Sequence, residues 1–166
     1  MTLGDILKKA AKEKWAVPHF NFSNLETLKA IVEAARETKS PVLAGTSEGE
    51  RNFVGLPEAV ALVNSFRKEG IMIFLNADHT KSVEAAKKAV DARYDSVHID
   101  LSALPLEENI RGTKEVVEYA KLKTKNYQLS TSVEGELGYL RGESQVQKKK
   151  IEVKPEDYTN TDESAE

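Results

Sequence analysis

Apolar positions along the chain follow two periods in turn, and the changes from one to the other mark out the elements. Leu3, Ile6, Leu7, Ala10 and Ala11 fall on one face of a leading helix, capped by Thr2 with Asp5 three residues on, that ends near Trp15. Residues 16–22 are short, apolar and extended, with Pro18 tolerable at a strand start. Ser23 or Asn24 then caps a helix that carries Leu25, Leu28, Ile31, Val32 and Ala35 inward and closes at Ser40-Pro41. Residues 42–47 form a second strand running into a polar loop, 48–52. Pro57 opens the next helix, Val60, Val63 and Phe66 give it a face, and Gly70 stops it.

The run 71–75 is apolar without alternation, which predicts a third strand covered on both faces, as in a parallel sheet. Ser82 caps a helix with Val83, Ala86 and Val90 inward, and residues 96–100 form a fourth strand. Residues 105–122 make a longer helix, burying Ile110, Val116, Val117 and Ala120, and 128–133 a fifth strand. Strand starts lie roughly 25 to 30 residues apart, the spacing of βα units, so the fold class is α/β with a parallel sheet. From Tyr139 the chain turns polar: 139–161 reads as a long loop after strand five, with a hairpin as one form of it. The acidic residues 162–166 suit the first turn of a helix. Residues 1–166 are read as a single domain.

Composition narrows the chemistry. The chain has 166 residues and no cysteine, so disulfides, thiolate metal sites and a cysteine nucleophile are excluded, and any metal must bind through His, Asp or Glu. Its net charge is −3, with lysines spread among glutamates, so no basic face for nucleic acid stands out. No run approaches the ~18 apolar residues of a membrane span. A cytoplasmic protein without nucleic-acid or membrane partners is expected.

Polar groups gather where strands end: Ser47 after the second, Asp78 and His79 after the third, Asp100 after the fourth, Glu134 and Glu136 after the fifth. In a (β/α)8 barrel these positions share the C-terminal face, where active sites lie. On spacing alone, Asp100 also reads as a capping residue, Glu134 and Glu136 as solvated charges, and Ser47 and Asn21 as turn residues. His19 and His98 fall short of the strand ends and read as packing or hydrogen-bonding groups. Lys81, beside the site, is read as solvated, which argues against Schiff-base chemistry.

The segments Ala77-Asp78-His79, Ile99-Asp100-Leu101-Ser102, Leu104-Pro105-Leu106-Glu107-Glu108-Asn109 and Glu134-Gly135-Glu136-Leu137-Gly138 together resemble the class II, zinc-dependent fructose-bisphosphate and tagatose-bisphosphate aldolases. Val17-Pro18-His19-Phe20-Asn21 and Asn24-Leu25-Glu26 are similar to that family's first strand and helix, so the resemblance runs over essentially the whole chain. It implies a TIM barrel, here about five of eight units and so incomplete. It also implies cleavage of a ketose 1,6-bisphosphate, fructose 1,6-bisphosphate first, to dihydroxyacetone phosphate and glyceraldehyde 3-phosphate with Zn2+ as cofactor.

Carried over, His79 is a zinc ligand, Asp78 the acid/base group, Asp100 and Glu136 carboxylates near the metal, Ser47 and Asn21 substrate-binding residues, and Glu143 the enolising base. A phosphorylated sugar is the implied partner, and a homo-oligomer the implied assembly. The family's other two zinc histidines and its phosphate loops follow later strands, outside these 166 residues. Residues 121–131 are longer than the family's link into the fifth strand, and Thr80 replaces a His, Gly or similar small residue. The chain alone is therefore expected to hold zinc weakly and to be inactive; the other reading is a non-catalytic half-barrel that binds a partner or assembles with another chain.

Overall fold

The computed structural model describes residues 1–127, 130–139, 141, 148 and 150–162. Three of its helices start where a side chain satisfies free backbone N–H groups. The Thr2 hydroxyl accepts from the Asp5 N–H at 3.2 Å while the Asp5 carboxylate accepts from the Thr2 N–H at 2.9 Å, opening α1 (Leu3–Glu13). Asn24 accepts from the Thr27 N–H to open α2 (Leu25–Thr38), and Ser82 from the Ala85 N–H to open α5 (Val83–Asp91). Between them run β1 (His19–Asn21), β2 (Val42–Thr46), β3 (Ile73–Thr80), β4 (Ser96–Ile99) and β5 (Ser132–Gly135), with α4 (Leu56–Lys68) and α6 (Leu106–Tyr127) completing the alternation. The five strands form one sheet in chain order, each pair parallel, as the strand spacing predicts.

Several boundaries differ from the sequence expectation, each for a local reason. The expected polar loop 48–52 is a helix, α3 (Glu48–Val54), because Glu50 accepts the Ser47 N–H at 2.6 Å and Arg51 turns inward. β3 does not stop at Leu75: Asn76 and Ala77 stay paired with Gly45 and Thr46 on one side and with Ser96 and Val97 on the other, so sheet pairing carries the polar residues into the strand. α6 runs on to Tyr127 and β5 starts at Ser132, while β1 shrinks to three residues. Leu7, expected inward on α1, is 42% exposed, and only Leu3, Ile6 and Ala10 of that helix are buried. Within 139–161 the described residues form a 3-10 turn, Pro155–Asp157, clasped by Arg141 Nη2 donating to Asp157 Oδ1 at 2.7 Å. The expected hairpin and the acidic residues 163–166 fall largely outside the described residues.

Strand alternation divides the sheet into two faces. Val42, Ala44, Ile73, Leu75, Ala77, Val97 and Ile99 point to the convex side, where they join Leu28, Val32, Val63, Ala86, Val90 and Val116 from the helices in the main core. Leu43 and Phe74 point the other way and pack with Leu3, Ile6, Trp15 and Val17, so that α1 closes the concave side near the strand starts. Higher on that concave side the residues are polar, and there the candidate site is built. Among the described residues no helix is long and apolar enough to cross a membrane.

Candidate functional site

Strand period places Phe74, Asn76 and Asp78 on the concave side of β3, at successively higher levels. Register then sets Asn21 and Gly45 beside Asn76, and His98 beside Glu134 one strand further on. Gly45 leaves room for two side chains to close over it: a Cβ there would lie 2.1 Å from Asn21 Oδ1 and 2.2 Å from His19 Nε2. Its bare backbone lets Asn21 reach across β2 and donate to Asp78 Oδ2 at 2.8 Å. Burial works against the charge on Asp78, but hydrogen bonds from His98 and Asn21, with His79 and His19 nearby, outweigh it and lower the carboxyl to about 2. Asp78 is therefore ionised throughout the neutral range.

His79 stands at a break in the β3–β4 register and holds φ at +41°, a left-handed conformation that is uncommon outside glycine. That turn brings its Nδ1 to 2.8 Å from Asp100 Oδ2 and its ring centroid to 4.4 Å from that of His98. With Nδ1 donating to the carboxylate, Nε2 carries the free lone pair, the form that binds metals. Asp100 is buried and also accepts from Lys81 Nζ and, at 2.6 Å, from Ser102 Oγ. Burial raises its pKa, yet these donors hold it well below the usual carboxylate range.

His98, 5% exposed, lies between two carboxylates, with Nδ1 3.5 Å from Asp78 Oδ1 and Nε2 2.7 Å from Glu136 Oε2. Burial disfavours its protonated form, but Asp78, Glu134 and Glu136 more than compensate and raise its pKa. Asn109 of α6 donates to the Glu136 carbonyl at 2.8 Å and fixes the backbone after β5.

The donor atoms of Asp78, His79 and His98 lie within 4.8 Å of one another, and the group could hold a metal ion. The two imidazoles, backed by Asp100 on His79 and Glu136 on His98, suit a divalent cation with an open position, and the Asp78 carboxylate stands beside them either as a third ligand or as a separate base.

Asn21, Asp78, His79, Asp100 and Glu136 thus meet in one network. Ser47 shares no hydrogen bond with that network, its N–H being committed to Glu50 at the start of α3. Glu143 lies outside the described residues. Sequence reasoning set His98 and Lys81 aside, His98 for its distance from the strand end. Period two was the available signal for His98, since it shares its strand face with Ser96. Lys81, read as solvated, bends back onto Asp100 while its side chain keeps 47% of its exposure.

The family model for class-II fructose-bisphosphate aldolase matches residues 1–166. A fructose-bisphosphate aldolase of Geobacillus stearothermophilus is 39% identical over 147 residues, which cover 86% of this chain and 49% of that protein. A 6-phospho-5-dehydro-2-deoxy-D-gluconate aldolase of Bacillus licheniformis is 38% identical over 146 residues, 86% of this chain and 48% of that protein. The crystal structure of the YdjI aldolase of Escherichia coli K12 superposes with a TM-score of 0.68 at 27% identity, over 80% of this chain and 51% of that one. The chain spans about half the length of these relatives. Five parallel βα units, a carboxylate-imidazole cluster above the strand ends and a match along its whole length agree: the chain belongs to the class II fructose-bisphosphate aldolase family.

Proposed function

We propose that this chain carries the acid/base half of a metal-dependent aldolase site acting on a phosphorylated ketose, with fructose 1,6-bisphosphate the first substrate to test. The observation that carries the reading is the convergence of Asp78, His79 and His98 above the strand ends, with Asp78 held ionised. His79 and His98 would hold a divalent metal, zinc by family resemblance, which would supply Lewis acidity toward the substrate carbonyl. Asp78 takes the proton of the C4 hydroxyl as the C3–C4 bond breaks, and the electron pair of that bond passes to the carbonyl-bearing half. His79 holds its ring through Asp100, Asn21 keeps Asp78 in place, and Glu136 with His98 closes the far side. By resemblance Ser47 meets the aldehyde half and Glu143 is the enolising base. The Bacillus licheniformis relative is named for a deoxygluconate phosphate, so the two sugar classes are assayed side by side.

Asp78→Ala lowers turnover by about 100-fold or more with metal content retained. His79→Ala removes both metal and turnover. Metal analysis alongside the cleavage assay checks both; loss of metal in Asp78→Ala makes that carboxylate a ligand rather than the acid/base group, and full turnover in either variant sinks the reading.

A further inference from the structure

The left-handed turn at His79 is held by its own N–H on His98 Nδ1 at 3.4 Å, by the Asp100 N–H on the Thr80 carbonyl at 2.9 Å, and on both flanks by the guanidinium of Arg51. Arg51 sits on α3, is 6% exposed, and forms no ion pair with a carboxylate among the described residues. Its N–H groups go instead to three acceptors around the turn. Nη1 donates to the Thr46 carbonyl at the end of β2 and, at 3.0 Å, to the Asp78 carbonyl; Nη2 donates to Thr80 Oγ1 at 3.0 Å. Asp78 and Thr80 are the two neighbours of His79. A buried guanidinium without a carboxylate is unfavourable, and burial lowers its pKa. Its rigid fork suits fixed acceptors at set positions, which a lysine ammonium cannot all reach. Behind it Thr46 Oγ1 and Tyr94 Oη lie 3.1 Å apart, both buried, so the acceptors are themselves anchored.

We propose that Arg51 is the positioning residue of the site: it clamps both flanks of His79 to the end of β2, and so holds the strand break that aims the imidazole at His98 and Asp100. It touches no reacting group and acts through the backbone. The inference rests on the metal reading for only one of its two readouts.

The test compares the 166-residue chain with Arg51→Lys and Thr80→Val, with Arg67→Lys as control. Arg67 is a second guanidinium bound to β3, donating to the Ile73 carbonyl at 2.8 Å near the start of that strand, far along it from His79. The first readout is the His79 backbone by NMR, from its three-bond HN–Hα coupling and its Cα and Cβ shifts. The second is Co2+ affinity with its visible d–d spectrum. Arg51→Lys loses the left-handed signature and binds Co2+ about tenfold more weakly; Thr80→Val moves both in the same direction by less; Arg67→Lys changes stability and leaves both readouts alone. If Arg51→Lys does not fold, Thr80→Val, which removes one acceptor of Arg51 together with the hydroxyl's own bond to the Ala77 carbonyl, decides when read beside Thr80→Ser, which keeps both. A wild-type His79 signature in the folded variants overturns the inference. A wild-type chain that takes up no Co2+ while the His79 signature still depends on Arg51 sinks the metal reading and leaves the clamp standing.

Discussion

The two faces of this sheet are made of the same five strands and obey opposite rules. On the convex face Val42, Ala44, Ile73, Leu75, Ala77, Val97 and Ile99 are all at most 3% exposed and pack with apolar residues of the helices, the polar Thr46, Arg51 and Thr80 being confined to the strand ends. On the concave face Leu43 and Phe74 are followed upward by Asn21, Gly45, Asn76, Ser96, His98 and Asp78, in part just as buried. Burial on the first face is favourable in proportion to area. On the second each buried group must find a hydrogen-bond partner to break even. Stability is thus concentrated on one face and chemistry on the other, which predicts that substitutions separate by face more than by depth.

The largest effect tests the convex side. Leu75→Ala removes a side chain that is 1% exposed in the middle of the main core, and costs about 3 kcal/mol by urea denaturation. Leu43→Ala, one strand away but on the concave side against α1 and only partly buried, costs about 1 kcal/mol. Equal losses would dissolve the distinction between the faces.

Gly45→Ala comes next and inverts the pattern. The new methyl group collides with the far ends of Asn21 and His19, both exposed and able to swing away, so stability changes by under about 1 kcal/mol. The site loses more, because Asn21 can no longer donate to Asp78. A fall of about tenfold in kcat/KM, with the urea midpoint nearly unmoved, is the expected result. A variant that keeps full activity shows that the Asn21 bond to Asp78 does not matter for turnover.

The convex face was the legible one. Helical and strand periods mark its residues directly, and they placed Leu28, Val32, Val63, Val90 and Val97 in elements that exist. The concave face was legible only at its edge, where Asp78, His79 and Asp100 stand next to apolar strands. His98 was read as a packing or hydrogen-bonding group from its distance from the strand end, and its bonds to Asp78 and Glu136 agree, but the same ring also reaches the cluster with Asp78 and His79, which the strand-end rule did not suggest. Arg51 had no signal at all: within Ser47-Glu48-Gly49-Glu50-Arg51 it reads as one more solvated charge, and only the fold shows its acceptors on β2 and β3. The helix α3 was hidden for the same reason, since its polar sequence lacks an apolar period.

The smallest effect is the one that tells most about why the concave face is polar. Asn76 is 1% exposed, and its Oδ1 is the one buried side-chain atom without a hydrogen-bond partner among the described residues. Its Nδ2 has a single long contact, 3.4 Å to His19 Nε2, and His19 is exposed enough for water to replace it. Leucine has nearly the same shape and leaves nothing unsatisfied, so Asn76→Leu raises stability by about 1 kcal/mol. A stabilising change at a buried position one level below Asp78 means that the native residue is kept for the site at some cost to the fold, the exchange expected where function constrains a core. Should the variant instead be destabilised, the amide oxygen has a partner in solution, an ordered water being the simplest, and the polar layer of the concave face is part of what holds the sheet together.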